Sequence, residues 1–142
     1  MSDAPLDFDK LVADVQTTEH PRWVEAFNKL AEVIDAGRAP ETLADRLAPL
    51  ADRKEGWIRE RGIRLLAALK KEAVLPVLEA HAADAEPEVR AAVEDVAEDL
   101  GEAGRPLLRQ LVKDSDLAVR FWAAAALAEA QIGDGYEVLV EG

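Results

Sequence analysis

The densest group of side chains that could do chemistry is a carboxylate cluster in the second half of the sequence. Between residues 84 and 102 there are eight acidic residues and one basic residue, Arg90. Carboxylates at such density can hold a metal ion, exchange protons or attract a basic protein. Because the glycine-containing loop of an EF-hand is absent, we predict no metal site here. The acidic residues are Asp84, Glu86, Glu88, Glu94, Asp95, Glu98, Asp99 and Glu102.

Three interpretations of this cluster remain open. Its like-charged pairs four residues apart each destabilise a helix by about 0.2–0.5 kcal/mol, so something is expected to offset them. Residues 53–71 hold seven basic and two acidic residues, and neutralisation by that segment is the leading interpretation. A docking face for a basic protein is the second, and a solvated acidic face is the third. The docking interpretation makes candidates of Glu94, Asp95, Glu98 and Asp99.

The other ingredients of catalysis are scarce. The chain has no cysteine and two histidines, and His81 has no second histidine at metal-ligand spacing. Ser115 is expected at a helix cap, where it would not act as a nucleophile. The glycine pairs Gly101 with Gly104 and Gly133 with Gly135 lack the strand and lysine of a phosphate loop, so they predict hairpin turns. We therefore predict no catalytic residue, no cofactor and no enzymatic activity.

Aromatic residues offer another way to bind a partner. Trp122 falls on the apolar stripe of its predicted helix and is expected in the core, as are Trp23 and Trp57, which open their helices. Phe121 points about 100 degrees away from Trp122. We expect it to pack against a neighbouring helix; if it is exposed instead, it is an anchor of the kind that dominates interfaces.

These residues lie in segments that recur about every 30 residues along the chain. Three apolar segments align when their arginines are superposed, and they begin at Ile58, Val89 and Val119, with spacings of 31 and 30 residues. A shorter apolar segment follows each of them. Within each first segment the apolar residues recur every three or four positions, which predicts a core-facing helix. The predicted unit is therefore a helix, a tight turn and a second helix.

Proline and glycine mark the predicted boundaries. Pro87 and Pro106 suit the first turn of a helix, and Gly37 and Gly101 suit helix ends. Ser115 or Asp116 is expected to cap the helix that follows. A looser first copy begins at Trp23, and in it Pro49 should end or kink the second helix near Ala48. The predicted parts are one domain over 1–142, with an N-terminal capping helix and break (1–20) and repeats over 21–55, 56–86, 87–116 and 117–142.

The recurring Val-Arg pairs, Val89-Arg90 and Val119-Arg120, resemble those of HEAT repeats, particularly the short variety similar to repeats in phycobilin lyase-type proteins. An aspartate precedes each arginine by six residues, as Asp84 and Asp114. The resemblance implies that Asp84, Arg90, Asp114 and Arg120 form a structural ladder between repeats. It covers residues 22–142, and it departs at Arg59, which has Arg53 six residues earlier.

The resemblance also implies a right-handed α-solenoid of about four hairpins that binds or scaffolds other proteins. Its second helices would face outward, which makes Arg109, Gln110 and Lys113 candidate contacts. The alternative is a HEAT-like enzyme or accessory, similar to phycobilin lyases or, less well supported, to alkylpurine DNA glycosylases. A DNA-reading groove should be basic, which disfavours the glycosylase.

Net charge narrows the choice of partner. The formal charge of −12 repels a phosphate backbone, so we predict no nucleic acid. It would favour a basic protein or peptide, although solubility alone also explains it. The sequence shows no secretory signal and no apolar run of bilayer length, which predicts a cytoplasmic protein without membrane contact. The C-terminal apolar residues from Tyr136 to Val140 lack a polar cap, so weak self-association at this edge is an alternative to a monomer.

Overall fold

The apolar residues that recur at helical spacing lie on α-helices. The structure is a computed structural model that describes the backbone of residues 5–141 and the side chains of residues 5–131. No strand occurs in that backbone, so the all-α prediction is confirmed. The chain divides into two compact units, unit 1 (Met1–Val74) and unit 2 (Leu75–Gly142). The division falls inside the predicted repeat 56–86. None of the described helices is both long and apolar enough to cross a membrane.

Unit 1 contains four α-helices and two short 3₁₀ segments among its described residues. Its core is built from aliphatic side chains that each helix contributes on one face, which is how amphipathic helices hide their apolar surface. The α-helices are α1 (Phe8–Asp14), α2 (Arg22–Asp35), α3 (Leu43–Leu47) and α4 (Gly56–Lys70), and the 3₁₀ segments are Ala48–Asp52 and Lys71–Val74. The largest fully buried side chains are Val15, Leu30, Leu43, Leu47, Leu50, Ile63, Leu65, Leu66 and Val74.

The helix boundaries of unit 1 follow the local signals. The Asp7 carboxylate accepts a hydrogen bond from the Lys10 backbone N–H at 3.1 Å and caps α1. Gly37 follows α2 with a positive φ of 71°, the conformation that glycine adopts at helix ends. α3 gives way to a 3₁₀ segment at Ala48, one residue before Pro49, as predicted.

Unit 2 contains four α-helices and one short 3₁₀ segment among its described residues. Its α-helices are α5 (Leu75–His81), α6 (Pro87–Asp99), α7 (Arg105–Leu111) and α8 (Leu117–Glu141), and a 3₁₀ segment spans Gly101–Gly104. The buried apolar side chains described in this unit are Leu78, Ala82, Val89, Ala92, Val93, Val96, Ala97, Leu107, Leu108, Leu111, Val119, Ala123 and Ala126. The α6–α7 hairpin therefore has the predicted order of elements.

The predicted boundary residues occupy their expected places in unit 2. Pro87 is the first residue of α6, and Pro106 lies in the first turn of α7. The N–H groups of a first turn have no acceptor within the helix, so proline, which lacks an N–H, loses no hydrogen bond there. Gly101 has a positive φ of 63° just after α6. Of the two candidate caps for α8, Asp116 does the capping, because its Oδ1 accepts a hydrogen bond from Val119 N at 3.1 Å.

The predicted turn at Gly133 and Gly135 is wrong. The backbone of α8 continues through both glycines to Glu141. Glycine inside a helix costs about 1 kcal/mol relative to alanine but breaks no hydrogen bond, so a helix of otherwise favourable residues can run through it. The side chains of the predicted C-terminal edge, Tyr136 to Val140, lie outside the described residues.

Two glycines allow a turn segment to approach a long helix, one in each unit. A Cβ placed on Gly62 of α4 would lie 2.6 Å from the Cβ of Leu50, which is too close for any side chain. A Cβ on Gly104 would collide with the backbone carbonyl of Ala97 in α6. Glycine is therefore required at Gly104 for close approach, in the turn that the sequence predicted at 101–104.

Candidate functional site

Three arginines make the same local contact at the start of their helices. In each case Nη1 donates a hydrogen bond to the backbone carbonyl oxygen six residues earlier. The bonded oxygen is a backbone atom, so the type of residue that carries it does not matter. This explains why the pattern tolerates Arg53, where the HEAT resemblance called for an acid. The pairs are Arg59 with Arg53 O at 2.8 Å, Arg90 with Asp84 O at 2.7 Å, and Arg120 with Asp114 O at 2.9 Å.

Arg90 also makes the strongest described ion pair of unit 2. Its Nε and Nη2 donate to the two carboxylate oxygens of Asp114 at 2.8 and 3.1 Å, in the bidentate geometry that suits a guanidinium. This hydrogen bond raises the pKa of Arg90. Burial raises the pKa of Asp114, but the bonds from Arg90 and Asp116 N outweigh it and leave that pKa below its ordinary value. Arg90 thus joins α6 to the turn that precedes α8.

Asp84 and Asp114 occupy equivalent turns. Asp84 Oδ1 accepts a hydrogen bond from Glu86 N at 3.0 Å, and Asp114 Oδ1 accepts one from Asp116 N at 2.8 Å. The other carboxylate oxygen of Asp84 lies 3.0 Å from His81 Nδ1. These contacts order the turns before α6 and α8, so Asp84, Arg90, Asp114 and Arg120 have structural contacts.

A cleft opens beside this network, between α6 and the first turns of α8. It has a volume of about 370 Å³, and acidic, aromatic and small apolar side chains line it together. We call it the α6–α8 cleft. It is lined by Pro87, Glu88, Ala91, Glu94, Asp95, Asp116, Ala118, Val119 and Trp122.

Glu94 is the unusual member of the cleft. Its relative exposure is 2%, and its Oε2 is a buried side-chain oxygen without a hydrogen-bond partner. Burial raises the pKa of Glu94, and the charges of Asp95 and Glu98, together with hydrogen bonds to both carboxylates, raise it further, to about 8. A carboxyl group with no bonded cation costs free energy to bury, so Glu94 favours any occupant that supplies positive charge or a proton.

Glu94, Asp95 and Glu98 form one group whose nearest carboxylate oxygens all lie within 4.8 Å of one another. Oxygen donors of this kind suit hard divalent ions. Asp95 and Glu98 are exposed, as is Asp99, so three of the four acidic docking candidates lie on the surface and Glu94 lies beneath it. The sequence did not predict this difference.

The aromatic residues at the start of α8 are exposed. Phe121 is 60% exposed and Trp122 is 57% exposed, and their rings meet edge to face with centroids 5.2 Å apart. The expectation that Trp122 lies in the core is wrong, because the small Ala123 and Ala126 take the buried positions and Trp122 lines the cleft. The expectation that Phe121 packs against a neighbouring helix is also wrong. With Leu117, 71% exposed, they form an apolar patch, which we call the α8 patch.

The aromatic residues of unit 1 are half-buried instead. Arg61 lies between Trp23 and Trp57, with its guanidinium carbon 3.6 and 4.7 Å from the ring centroids. Its Nη1 donates to the carbonyl oxygens of Val15 and Thr17 at 2.9 and 2.8 Å. Burial lowers the pKa of Arg61, and Glu60 partly offsets this effect. The two carbonyl bonds hold the end of α1 against α4, the Trp23 contact joins α2 to α4, and the Trp57 contact lies within α4, so they are structural.

The remaining partner-binding candidates lie on the α7 hairpin. Arg109, Gln110 and Lys113 are all exposed, as the prediction of an outward second helix requires. Neutralisation of residues 84–102 by residues 53–71 stays a prediction. Within unit 1, part of the basic segment is bound locally: Arg53 Nε donates to Gln16 Oε1 at 3.0 Å, in addition to the contacts of Arg59 and Arg61.

Sequence reasoning missed the burial of Glu94 and the exposure of Trp122. On a helical projection Glu94 lies at the margin of the stripe that contains Val93 and Ala97, so its burial depends on what covers that margin. Trp122 lies at the opposite margin of its own stripe, next to Val119 and Ala126. The period of a stripe predicts its centre reliably and its margins poorly, and Glu94 and Trp122 both lie at a margin.

Comparisons with known proteins support the fold alone. No protein-family model matches the sequence, and no curated protein matches it either. Among solved structures, the chain is similar to an engineered protein from the Northeast Structural Genomics Consortium, with a TM-score of 0.54 and 19% sequence identity. The match covers 89% of this chain and spans 63% of the length of the engineered protein. At this identity the likeness shows a common arrangement of helices.

Proposed function

We propose that the chain is a short HEAT-like right-handed α-solenoid that works, without catalysis, as a binding or scaffolding module for a protein or peptide in the cytoplasm. The observation that carries this proposal is the α8 patch, Leu117, Phe121 and Trp122, which exposes two aromatic rings beside an acidic cleft. Aromatic side chains are enriched among the residues that contribute most to protein interfaces.

The HEAT assignment is supported by the repetition of local contacts. Arg59, Arg90 and Arg120 lie 31 and 30 residues apart, and each bonds the carbonyl six residues before it. The same side-chain contact thus recurs at the same position of successive hairpins, as expected for a structural repeat. A stack of such hairpins leaves one face of each helix free, and repeat proteins use those faces for binding.

The patch favours a protein partner over a small substrate. Two adjacent aromatic rings that remain more than half exposed cost hydration free energy in the free protein, about 25 cal/mol for each Å² of apolar surface. A partner that covers them recovers this energy. A small ligand in the cleft would reach Trp122 but would leave Phe121 and Leu117 in water.

The test is site-specific photo-crosslinking in the cell that makes the protein. A benzoylphenylalanine at position 121 probes the α8 patch, and the same residue at position 110 probes the competing α7 face with a matched exposed site. We expect position 121 to give a reproducible cross-linked protein that Trp122→Ala abolishes. The purified partner should then bind the full chain in calorimetry.

Two outcomes would overturn parts of this proposal. Cross-links from position 110 alone would move the binding face to Arg109, Gln110 and Lys113. The absence of cross-links from both positions, with a covalently bound small molecule at position 121 instead, would favour the enzyme-like alternative.

A further inference from the structure

The α6–α8 cleft combines three features that together suit an organic cation. Its lining includes small apolar residues, Ala91, Ala118 and Val119, which we call its apolar floor; the exposed Trp122 also lines it; and its acidic groups include the buried Glu94. An aromatic face attracts an ammonium or guanidinium group by about 0.5–2 kcal/mol, and more strongly as water is excluded. The long aliphatic stem of a lysine or arginine side chain matches the apolar floor.

The protein's own cations do not satisfy Glu94. The charged groups that act on it are Asp95 and Glu98 of its own helix, both acidic. Arg90, also on α6, is bound to Asp114 and to the Asp84 carbonyl. On the facing α8, Arg120 donates to Asp114 O, and the nearest acid, Asp116, is engaged as the helix cap. Glu94 Oε2 therefore remains an acceptor without a donor in the described structure.

The size of the cleft argues for a side chain over a bare metal ion. Its 370 Å³ is more than ten times the roughly 30 Å³ that a water molecule occupies in the liquid, so a small ion would leave most of it empty. A metal ion also gains nothing from the apolar floor. Two of the three clustered carboxylates, Asp95 and Glu98, are exposed, where hydration competes with an ion.

We propose that the α6–α8 cleft receives a lysine or arginine side chain of the partner protein, with the cationic head against Trp122 and bonded to Glu94. This inference rests on the proposed function, because it names the chemistry of the partner that the α8 patch binds. The partner would place its apolar residues on Leu117 and Phe121 and one basic side chain in the cleft. The acidic surface of Asp95, Glu98 and Asp99 would then attract the rest of a basic segment.

The test uses the full chain and a fluorescein-labelled hexalysine peptide, with anisotropy measured at physiological salt so that distant charges are screened. We expect hexalysine to bind and its Nε-acetylated form not to bind, since acetylation removes the charge. Glu94→Gln should weaken binding about tenfold, because a bound cation favours the ionised form of Glu94, and glutamine cannot ionise to form the same charge-assisted hydrogen bond. Trp122→Ala should weaken it about fivefold.

The control is Glu102→Gln, which removes one negative charge from an exposed position of the same unit, outside the cleft. It should change the affinity less than twofold. Circular dichroism of each variant checks that the helices remain. Equal effects of Glu94→Gln and Glu102→Gln would overturn the inference, because binding would then follow net charge alone. Displacement of hexalysine by 1 mM calcium in the wild type but not in Glu94→Gln would also overturn it and assign the cleft to a metal ion.

The result separates this inference from the proposed function. If a protein cross-links at position 121 and binds Glu94→Gln as tightly as wild type, the proposed binding function holds. The proposal that the cleft receives a cationic side chain is then wrong. If hexalysine binds in the cleft as described but position 121 cross-links no protein, the cleft chemistry stands and the protein-binding function is wrong.

Discussion

Each unit holds an ionisable side chain away from full contact with water, and the surroundings of that side chain differ between the two units. In unit 1, Arg61 donates hydrogen bonds to two backbone carbonyls and lies between two tryptophan rings. In unit 2, Glu94 is more deeply buried, and one of its oxygens has no partner. A satisfied charge stabilises a fold, whereas an unsatisfied one stores free energy that a ligand can release. This difference is why the proposed binding site lies in unit 2.

The aromatic residues repeat this difference. Trp23 and Trp57 are half-buried against Arg61, while Phe121 and Trp122 are more than half exposed next to Glu94. The same residue types thus serve packing in unit 1 and are free for recognition in unit 2. Four substitutions test whether this contrast is real, beginning with the largest expected effect.

Arg90→Met should cost the most stability, about 3 kcal/mol, because it leaves Asp114 as a buried carboxylate without its bidentate partner. Arg120→Met removes a carbonyl contact on the surface and a weak attraction to Asp114, and it should cost about 1 kcal/mol. Urea unfolding followed by circular dichroism measures both. Equal losses would mean that the carbonyl contact, and not the Arg90–Asp114 pair, carries the stability of the ladder.

Arg61→Met should destabilise unit 1 by about 2 kcal/mol, since the carbonyls of Val15 and Thr17 lose their donor. The control is Arg22→Met, which removes an exposed pair with Glu19 and should cost less than about 0.5 kcal/mol. Tryptophan fluorescence during urea unfolding reports on the same site. A loss no larger than that of the control would show that Arg61 is not a structural cation and would remove the contrast with Glu94.

Glu94→Gln should leave stability nearly unchanged near pH 5 and raise it by more than about 1 kcal/mol at pH 9, because the unfolded chain ionises Glu94 at a far lower pH than the folded protein does. The folded-state pKa of Glu94, about 8, lies above the ordinary value of 4.5. The folded protein therefore keeps a proton that the unfolded chain releases, and stability falls as pH rises from about 4.5 to about 8. The acidic groups around Glu94 are Glu88, Asp95 and Glu98 on its own helix α6, and Asp116 at the start of α8.

The measurement is urea unfolding at pH 5, 7 and 9, with Glu102→Gln as the control that should keep the wild-type pH dependence. Parallel curves for Glu94→Gln and wild type would contradict a protonated Glu94. They would also mean that the Glu94 carboxyl group is accessible to water in solution.

Phe121→Ser should have the smallest effect on stability, less than about 0.5 kcal/mol, because its ring is 60% exposed. The matched change in unit 1 is Trp57→Ser, which removes a half-buried ring beside Arg61 and should cost more than 1 kcal/mol. Thermal unfolding compares the two. A large loss for Phe121→Ser would assign that ring to packing and remove it from the proposed binding face.

The residues that sequence reasoning placed correctly act through local backbone chemistry. Pro87, Gly37, Gly101 and Asp116 mark boundaries because a fixed φ, a positive φ or a capping carboxylate acts within a few residues of chain. The aligned arginines were also found from sequence, and the contact that all three share reaches only six residues back. The turn expected at Gly133 and Gly135 failed because the propensity of glycine is weak enough for a helix to override it.

By itself, the sequence determined that the chain is helical, where most of its helices begin and end, and which arginines are equivalent, since periodicity and capping are local properties. Only the tertiary structure decided that Glu94 is buried, that Trp122 is exposed and that Arg90 pairs with Asp114. Each of these depends on which neighbouring element covers the margin of a helix, and a residue at that margin is buried or exposed by packing that its own segment does not encode.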